Sequence, residues 1–474
     1  MILMFNVCLM FNLPFKRSQS DRCNSLARLV IIVLMLTALP GGVSVAGAAP
    51  DSSPNRASNN PALVPWWSHF NDPLLGQLIE RALQSNTSIQ TAKAALQQAV
   101  ALRDVKGAAL LPGLTLSGSV QRSTSDLGDA SRAANSLKTG LDARWDMDIW
   151  GANRSALDAS AATALAADAT LADVQLSIAA EMALAYIQLR GLQAQQAIAR
   201  TNLSSQQDTL QITQWRAQAG LATLLDVEQA RTATEQTLAL MPLQTAGIAK
   251  AQHSLAVLTG QRPAELDKVL QTVLPVPQMA LDLSDGIPAQ TLRHRADVRA
   301  AEHRVSAALA LVSAAEGARY PGFSLGGSLG LGALTLSGLG SAALAGSLLG
   351  SISVPLMDGG ATKNQVLAQQ SALEQARMAY QSTVLAALQD VADAAVALHQ
   401  DRIRLDHLQK AADAAETAAR LAGQRYASGL IDFQTVLVTQ RSLLGAQDSL
   451  AAEQATLGGD QVRLIKALGG DLSH

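Results

Sequence analysis

Few residues of this 474-residue sequence are of a type and spacing that could carry chemistry. Of the seven scattered histidines, only His399 and His407, with Asp401 and Asp406 nearby, suggest a metal site. Solvated faces of a helix explain these four residues more simply. No nucleophile is paired with a base, and the glycine-rich run 326–332 lacks the lysine and the following helix of a phosphate-binding loop. We therefore expect no enzymatic activity and no cofactor.

A second group of charged residues alternates with apolar residues along a predicted strand. It consists of Asp142, Arg144, Asp146 and Asp148. Successive side chains of a strand point to opposite faces, so these four would share one face. Because an arginine stands among the carboxylates, a row of charges facing a water-filled pore is simpler than a catalytic carboxylate site. We predict such a pore-facing row.

The composition excludes some partners and favours long helices. The formal net charge is -2, whereas a nucleic-acid-binding protein usually has a basic face, so we expect no nucleic-acid partner. The stretches 153–219 and 361–428 contain no proline. As helices they would each be about 100 Å long, at about 1.5 Å per residue. Each stretch is followed by a glycine, Gly220 or Gly429, where we predict a turn into a returning helix.

The chain repeats itself at an offset of 209 residues. Residues 112–119 match residues 321–328, and Gly220 matches Gly429 at the same offset. An internal repeat of this length is typical of a duplicated half-protein rather than of a solenoid. Each copy contains a helix, two segments of alternating pattern and a long helical hairpin.

The alternating segments predict four strands in the chain. They lie near residues 114–121 and 141–149 in the first copy, and near 323–331 and 348–356 in the second. An apolar and a polar face over about ten residues is the pattern of a transmembrane barrel strand. Hairpins in a soluble sheet would show the same pattern, and both interpretations stay open on the strands alone.

One segment has a second interpretation. Residues 323–357 carry no charge and are long enough for a transmembrane helix. They also contain eight glycines and divide into two alternating runs around a Gly/Ser turn. We therefore predict a β-hairpin.

The N-terminal residues predict an export signal. Basic residues between 16 and 28 precede an apolar run at 29–39, and small residues follow it near Ala48. We expect a signal peptide at 1–48, with an N-terminal membrane anchor as the alternative. Cys23 precedes the apolar run, so we expect no lipid anchor.

The predicted domain plan has four parts. A flexible lead-in rich in Pro, Ser and Asn follows the signal peptide at 49–64. The first repeat is predicted at 65–275 and the second repeat, with the same plan, at 276–474.

Four short segments carry a resemblance to a known family. They are WWSHFNDPL at 66–74, WDMDIWG at 145–151, RADVRAAE at 295–302 and RYASGL at 425–430. In this order, on the duplicated plan, they make the chain resemble the TolC-like outer-membrane efflux factors. The branch it resembles works with proton-driven multidrug pumps.

The resemblance implies an α+β fold in the outer membrane. Four strands from each of three chains would form one membrane β-barrel completed by trimerisation. The long helices would form a coiled-coil barrel in the periplasm. The expected partners are therefore two further copies of the chain, outer-membrane lipid, a periplasmic adaptor protein and an inner-membrane pump.

The resemblance also assigns residues to the helical tips. Those expected to contact the adaptor are Gly220, Leu221, Ala222, Thr223, Gly429, Leu430 and Ile431. Those expected to form a gate are Asp226, Glu228, Tyr426 and Asp432, where Tyr426 matches a family tyrosine that helps to hold the tip closed. Many members carry paired acidic residues after the second tip, but residues 435–439 contain none here. An acidic ring would have to come from Asp226, Glu228 or Asp432.

Together these observations predict a passive exit duct for small molecules in a tripartite efflux pump, gated at its periplasmic tips. The alternative is a secreted or periplasmic coiled-coil scaffold or an adaptor-like binding protein. Apolar residues seven apart, from Val436 to Leu464, motivate that alternative because they are typical of a supercoiled seam. An adaptor would not be expected to duplicate a barrel-length strand pair.

Overall fold

The structure is a computed structural model that describes residues 65–127, 130–279, 293–333 and 343–470. The predicted signal peptide and lead-in lie outside the described residues, as do both cysteines.

The two predicted copies show the same order of elements. In the first copy a 3₁₀ turn at Trp66–Phe70 precedes α1 (Pro73–Ser85), α2 (Thr87–Ala108), β1 (Gly113–Leu127), β2 (Ala130–Met147), α3 (Ala152–Gln218), α4 (Leu224–Leu258) and the single-turn α5 (Asp267–Leu270). The second copy contains α6 (Ala296–Gly317), β3 (Gly322–Ala333), β4 (Ala343–Ser353), α7 (Ala361–Ala427) and α8 (Phe433–Ala467). The boundaries of the repeats between these elements stay a prediction.

The four strands form one antiparallel sheet in the order β1-β2-β3-β4. The hairpin of the second copy is therefore a β-hairpin, as predicted, and β2 joins it to the first. The pairing aligns Thr115, Asp142, Ser328 and Ser347 in one row across all four strands. β1 and β4 each keep one edge without a partner among the residues that the structure describes, and such an edge requires pairing or protection.

The face of the sheet opposite this polar row is apolar, and its side chains are exposed. Leu116 is 73% exposed and Leu348 is 79% exposed. A face of this kind is the expected lipid-facing surface of a transmembrane barrel, since lipid rather than a protein core covers it.

The long helices begin at matching positions, and a carboxylate helps to fix each start. Asp148 accepts hydrogen bonds from the backbone N–H groups of Asn153 and Arg154, at 2.9 and 2.8 Å. Asp358 accepts in the same way from Gly360 and Thr362, at 2.9 Å each. Acceptors at a helix N-terminus satisfy donors that have no partner within the helix.

This capping corrects one part of the pore-facing row. β2 ends at Met147, so Asp148 lies beyond the strand and does not continue the row. Its carboxylate caps α3 instead, because the chain turns through Gly151 (φ 78°) directly after the strand.

α3 and α7 contain 67 residues each, and α4 and α8 return beside them with 35 residues each. By length and composition α3 is the one helix in the described ranges that could cross a membrane. Its apolar side chains, such as Leu176 and Met182, are however buried against other helices. The seams are lined by alanine and glycine, and a Cβ added at Gly191 would come within 2.7 Å of the Ala455 Cβ. Small residues thus permit the close approach of α3 and α8.

The main core lies where the 3₁₀ turn and α1 pack on α3. Within it, the Tyr186 hydroxyl donates to Asp72 Oδ2 at 2.7 Å and accepts from Arg190 Nη2 at 2.9 Å. Arg190 is fully buried and also donates to the Thr272 carbonyl oxygen at 2.6 Å. Because a buried charge is costly unless it is hydrogen-bonded, this chain of contacts holds two distant segments, those of Asp72 and Thr272, on α3.

Candidate functional site

Both predicted tip turns are present and have the same construction. Gly220 and Gly429 have φ angles of 71° and 75°, a left-handed conformation that glycine adopts without a steric penalty. The next N–H in each turn, of Leu221 or Leu430, bonds back to a carbonyl five residues earlier, at 2.7 and 2.9 Å. This geometry ends a helix and satisfies its last carbonyl groups.

The turns present leucines to solvent. Leu221 and Leu430 are 71% and 74% exposed, and Leu224 at the start of α4 is 74% exposed. Ala222 is half-buried, and Ile431 packs against the apolar cluster of the second tip. Adjacent exposed leucines at the end of a helical hairpin form an apolar surface suited to a partner.

The polar residues predicted at the tips act first as helix caps. Thr223 and Asp226 form a reciprocal capping box at the start of α4, with the Thr223 N–H donating to Asp226 Oδ2 at 2.9 Å. Asp432 caps α8 by accepting from the Thr435 N–H at 3.0 Å. The hydrogen bond from the Thr435 hydroxyl, followed by this backbone bond, lowers the pKa of Asp432. Both carboxylates are therefore fixed in position close to the turns.

The third predicted carboxylate is differently placed. Glu228 pairs with Arg231 one helical turn further along α4, at 2.9 Å, and both side chains are about half exposed. Exposed pairs of this kind contribute little to stability.

Tyr426 lies at the centre of the second tip. It is buried and contacts the Phe433 ring, with 5.8 Å between the ring centroids. The Arg216 guanidinium lies over the Tyr426 ring, 4.5 Å from its centroid, and Arg216 Nη1 donates to the Tyr426 carbonyl oxygen at 2.6 Å. The Tyr426 hydroxyl has no hydrogen-bond partner within the described part of the chain. The ring and the backbone of Tyr426, rather than its hydroxyl, therefore join the two hairpins.

Arg216 was not predicted as a site residue. It lies near the end of α3, whereas Tyr426 lies at the end of α7. No local pattern predicts a contact between residues so far apart in sequence. The repeat does place Arg216 and Tyr426 at equivalent ends of the two hairpins. This equivalence is the signal in the sequence from which their contact could have been predicted.

The remaining charged row lies on one face of β2. Asp142 Oδ2 accepts from the Ser117 hydroxyl at 2.7 Å, and Arg144 Nη2 lies 3.3 Å from Asp146 Oδ1. The serines of β3 and β4 continue this polar face, as in the 2.6 Å contact between the Ser324 and Ser351 hydroxyls. The three strand residues thus share a polar, exposed face, and their position in the pore stays a prediction.

Within the described ranges no group of three or more His, Cys, Asp or Glu residues is placed to hold a metal ion. His399 and His407 both lie on α7.

The model of the outer membrane efflux protein family matches this chain twice, at residues 78–261 and 287–470. The chain belongs to this family. The two matched segments have the same 209-residue offset as the repeat found in the sequence.

Individual relatives agree with this assignment. The chain is 32% identical over 413 residues to the toluene efflux pump outer membrane protein TtgF of Pseudomonas putida, covering 85% of each chain. It is 30% identical over 417 residues to Nodulation protein T of Rhizobium leguminosarum bv. viciae, covering 88% of this chain and 86% of the relative.

Solved structures share the fold. The outer-membrane channel OprN matches with a TM-score of 0.81 at 34% identity, covering 86% of this chain and 92% of its own. The outer membrane protein VceC of Vibrio cholerae matches with a TM-score of 0.79 at 30% identity, covering 86% of this chain and 99% of its own.

These findings confirm four predictions. This efflux protein is an outer-membrane channel subunit with the TolC-like fold, in which trimerisation completes the barrel and the helices lie in the periplasm. The family resemblance, the fold class, the location and the function as an efflux channel are therefore correct. The coiled-coil scaffold alternative is not favoured.

Proposed function

We propose that three copies of this chain form a passive exit duct that an adaptor opens at the helical tips and that an inner-membrane pump supplies with cargo. The observation that carries the proposal is the repeated tip, in which a glycine turn at the end of a long hairpin presents an exposed leucine. The duct itself would catalyse no reaction and use no cofactor.

Opening would require the two hairpins of each chain to part at their tips. The contact of Arg216 with Tyr426 joins the ends of α3 and α7, so separation of the tips breaks it. Asp226, Glu228 and Asp432 would supply the negative charge around this entrance. At the other end, the row of Asp142, Arg144 and Asp146 would face water inside the barrel, and the apolar face would contact lipid.

The cargo would be selected by the pump rather than by the duct. The two relatives described above are named for toluene efflux and for nodulation, although they are similarly related to this chain. A duct of the same plan therefore accompanies different systems. We assign this chain small-molecule export without naming a compound.

The adaptor surface can be tested by placing a charge on each tip. Leu221→Asp and Leu430→Asp should leave the heat-stable trimer intact in outer-membrane fractions but abolish export by the assembled pump, because a carboxylate opposes apolar contact. Leu243→Asp is the matched control, since Leu243 is 71% exposed on α4 away from the turn. Export at the wild-type level by both tip variants, with trimers present, would show that the adaptor does not bind here.

A further inference from the structure

The two strand hairpins of the chain repeat each other residue by residue. β1 and β2 pair Gly113 with Arg144, and β3 and β4 pair Gly322 with Ser353. Each residue of the second pair lies 209 positions after its counterpart in the first pair, which is also the offset between the two segments that match the family model. The duplication is therefore preserved in the register of the strands as well as in their order.

One seam of the sheet already joins the two copies of the repeat. β2 and β3 pair Met147 with Phe323 and Leu141 with Leu329, so the second strand of one hairpin meets the first strand of the other. β4 is also a second strand and β1 is also a first strand, and they are the two outer strands of the sheet. An unpaired strand edge is a template for pairing with another chain. The edge of β4 in one chain therefore fits the edge of β1 in another chain in the same way.

Apolar side chains at these two edges lie where such a seam would need them. At the offset of the repeat, Leu356 occupies the position equivalent to Met147, and Leu114 occupies the position equivalent to Phe323. Leu356, three residues after the end of β4, is 95% exposed, and Leu114 is 70% exposed. A seam with the register of β2 and β3 would place these two exposed leucines opposite each other.

The two faces of the strands agree with this register. It places Ser351 opposite the partner subunit's Ser119 on the polar face, and Gly350 opposite the partner subunit's Val120 on the apolar face. Because successive side chains of a strand point to opposite faces, a slip of one residue would join the apolar face of one chain to the polar face of the next. Slips of two residues keep the faces, and the offset of the repeat selects one register among them.

We propose that β4 of one copy pairs with β1 of the next copy in the register of β2 and β3, and that three such seams close the barrel. Gly350 then lies opposite the partner subunit's Val120, and Leu356 lies opposite the partner subunit's Leu114. The exposed leucines cover each other, and the ring keeps no open strand edge. The proposal rests on the trimer of the proposed duct, but it depends neither on an adaptor nor on the opening of the tips.

The same register decides how charge is distributed around the ring. Within the chain, Arg144 of the charged row lies opposite Gly326 in the seam of β2 and β3. At the equivalent position between chains, Ser353 lies opposite the partner subunit's Ser117, and both side chains are uncharged. The polar face of the ring therefore alternates between charged seams within each chain and serine-lined seams between chains.

Paired cysteines test the register in the full-length protein. Gly350→Cys with Val120→Cys, and Ser351→Cys with Ser119→Cys, place two thiols opposite each other on adjacent rungs of the seam. Cα spacings of about 5.5 and about 4.5 Å alternate along an antiparallel ladder, and both lie within the range of a disulfide. Within one chain β1 and β4 are three strand spacings apart, about 14 Å, so a disulfide has to join two copies. Cys8→Ser and Cys23→Ser remove the native thiols from every variant.

Oxidation of outer membranes that contain these variants should give covalent dimers and trimers on a denaturing gel, and a reductant should reverse them. Gly350→Cys with Gly118→Cys, and Gly350→Cys with Arg122→Cys, are the matched controls, because each moves one thiol by two residues on the same face. Their thiols lie on a diagonal of about 7–8 Å, so they should give at least about tenfold less covalent trimer.

The outcomes separate this register from the proposed function. Assembled trimers that form no disulfide with either matched pair, or that form more with a shifted pair, would overturn the register and leave the trimeric duct in place. The pair on the polar face decides the question if the pair on the apolar face does not assemble. A wild-type chain that forms no trimer would overturn both the seam and the duct.

Discussion

Replacing Arg216 with alanine should shift the channel towards its open form by weakening the contact between the two hairpins. The change removes a guanidinium placed 4.5 Å from the Tyr426 centroid and a 2.6 Å hydrogen bond to the Tyr426 carbonyl oxygen. A cation–π contact at a partly exposed site contributes about 0.5–1 kcal/mol, and a hydrogen bond from a charged donor about 1.5–3 kcal/mol. Allowing for partial exposure, the loss is about 2 kcal/mol, or about 30-fold in the closed-to-open equilibrium of each chain.

The effect can be measured as the open probability of purified trimers in planar bilayers without adaptor. The Arg216→Ala trimer should be open at least about 30-fold more often than wild type at the same voltage and salt, because each of its three chains loses the contact. Arg216→Lys should give an intermediate value, because lysine keeps the charge but loses the planar group that stacks on the ring.

Two controls separate this contact from a general loss of tip structure. Arg420→Ala removes an exposed arginine from the same region of α7 and should leave the open probability unchanged. Tyr426→Phe keeps the ring and the carbonyl oxygen and removes a hydroxyl that has no partner among the described residues, so it should also behave as wild type. If the Arg216→Ala trimer stays within twofold of wild type, the contact does not hold the tips together.

Four further substitutions test the packing, the buried hydrogen bonds and the helix cap that support the channel. Gly191→Ala should lower the thermal stability of the trimer by the equivalent of about 1–3 kcal/mol, because the added Cβ meets α8. Gly445→Ala, at a helix position with open space, should raise it by about 0.5–1 kcal/mol, and equal effects of the two would contradict the packing argument. Tyr186→Phe should cost about 1–3 kcal/mol, measured by heat dissociation of the trimer, because it removes the hydroxyl that accepts from buried Arg190 and donates to Asp72. Thr223→Ala should cost about 1 kcal/mol of local stability, seen as faster amide exchange in the first turn of α4 but not in α8.

The sequence alone determined the elements of this channel and their repetition. Helix and strand have different periods, so the alternating segments and the long stretches without proline could be recognised locally. The same holds for the turns at Gly220 and Gly429, since a left-handed turn at the end of a helix favours glycine over every other residue. A repeated order of such signals was enough to indicate self-association, because neither copy can cover its own strand edges or helix seams, and the family resemblance then implied a channel.

The tertiary structure decided which distant residues meet and what each polar group does. Arg216 reaches Tyr426, and Tyr186 reaches Asp72, across distances in sequence that no local period spans. Asp148 matched the alternation of β2 but lies one residue beyond the strand, where free N–H groups of α3 compete for its carboxylate. The periodicity of a segment fixes which face a residue occupies. The partners on that face are fixed only when long-range packing brings the helices and strands together.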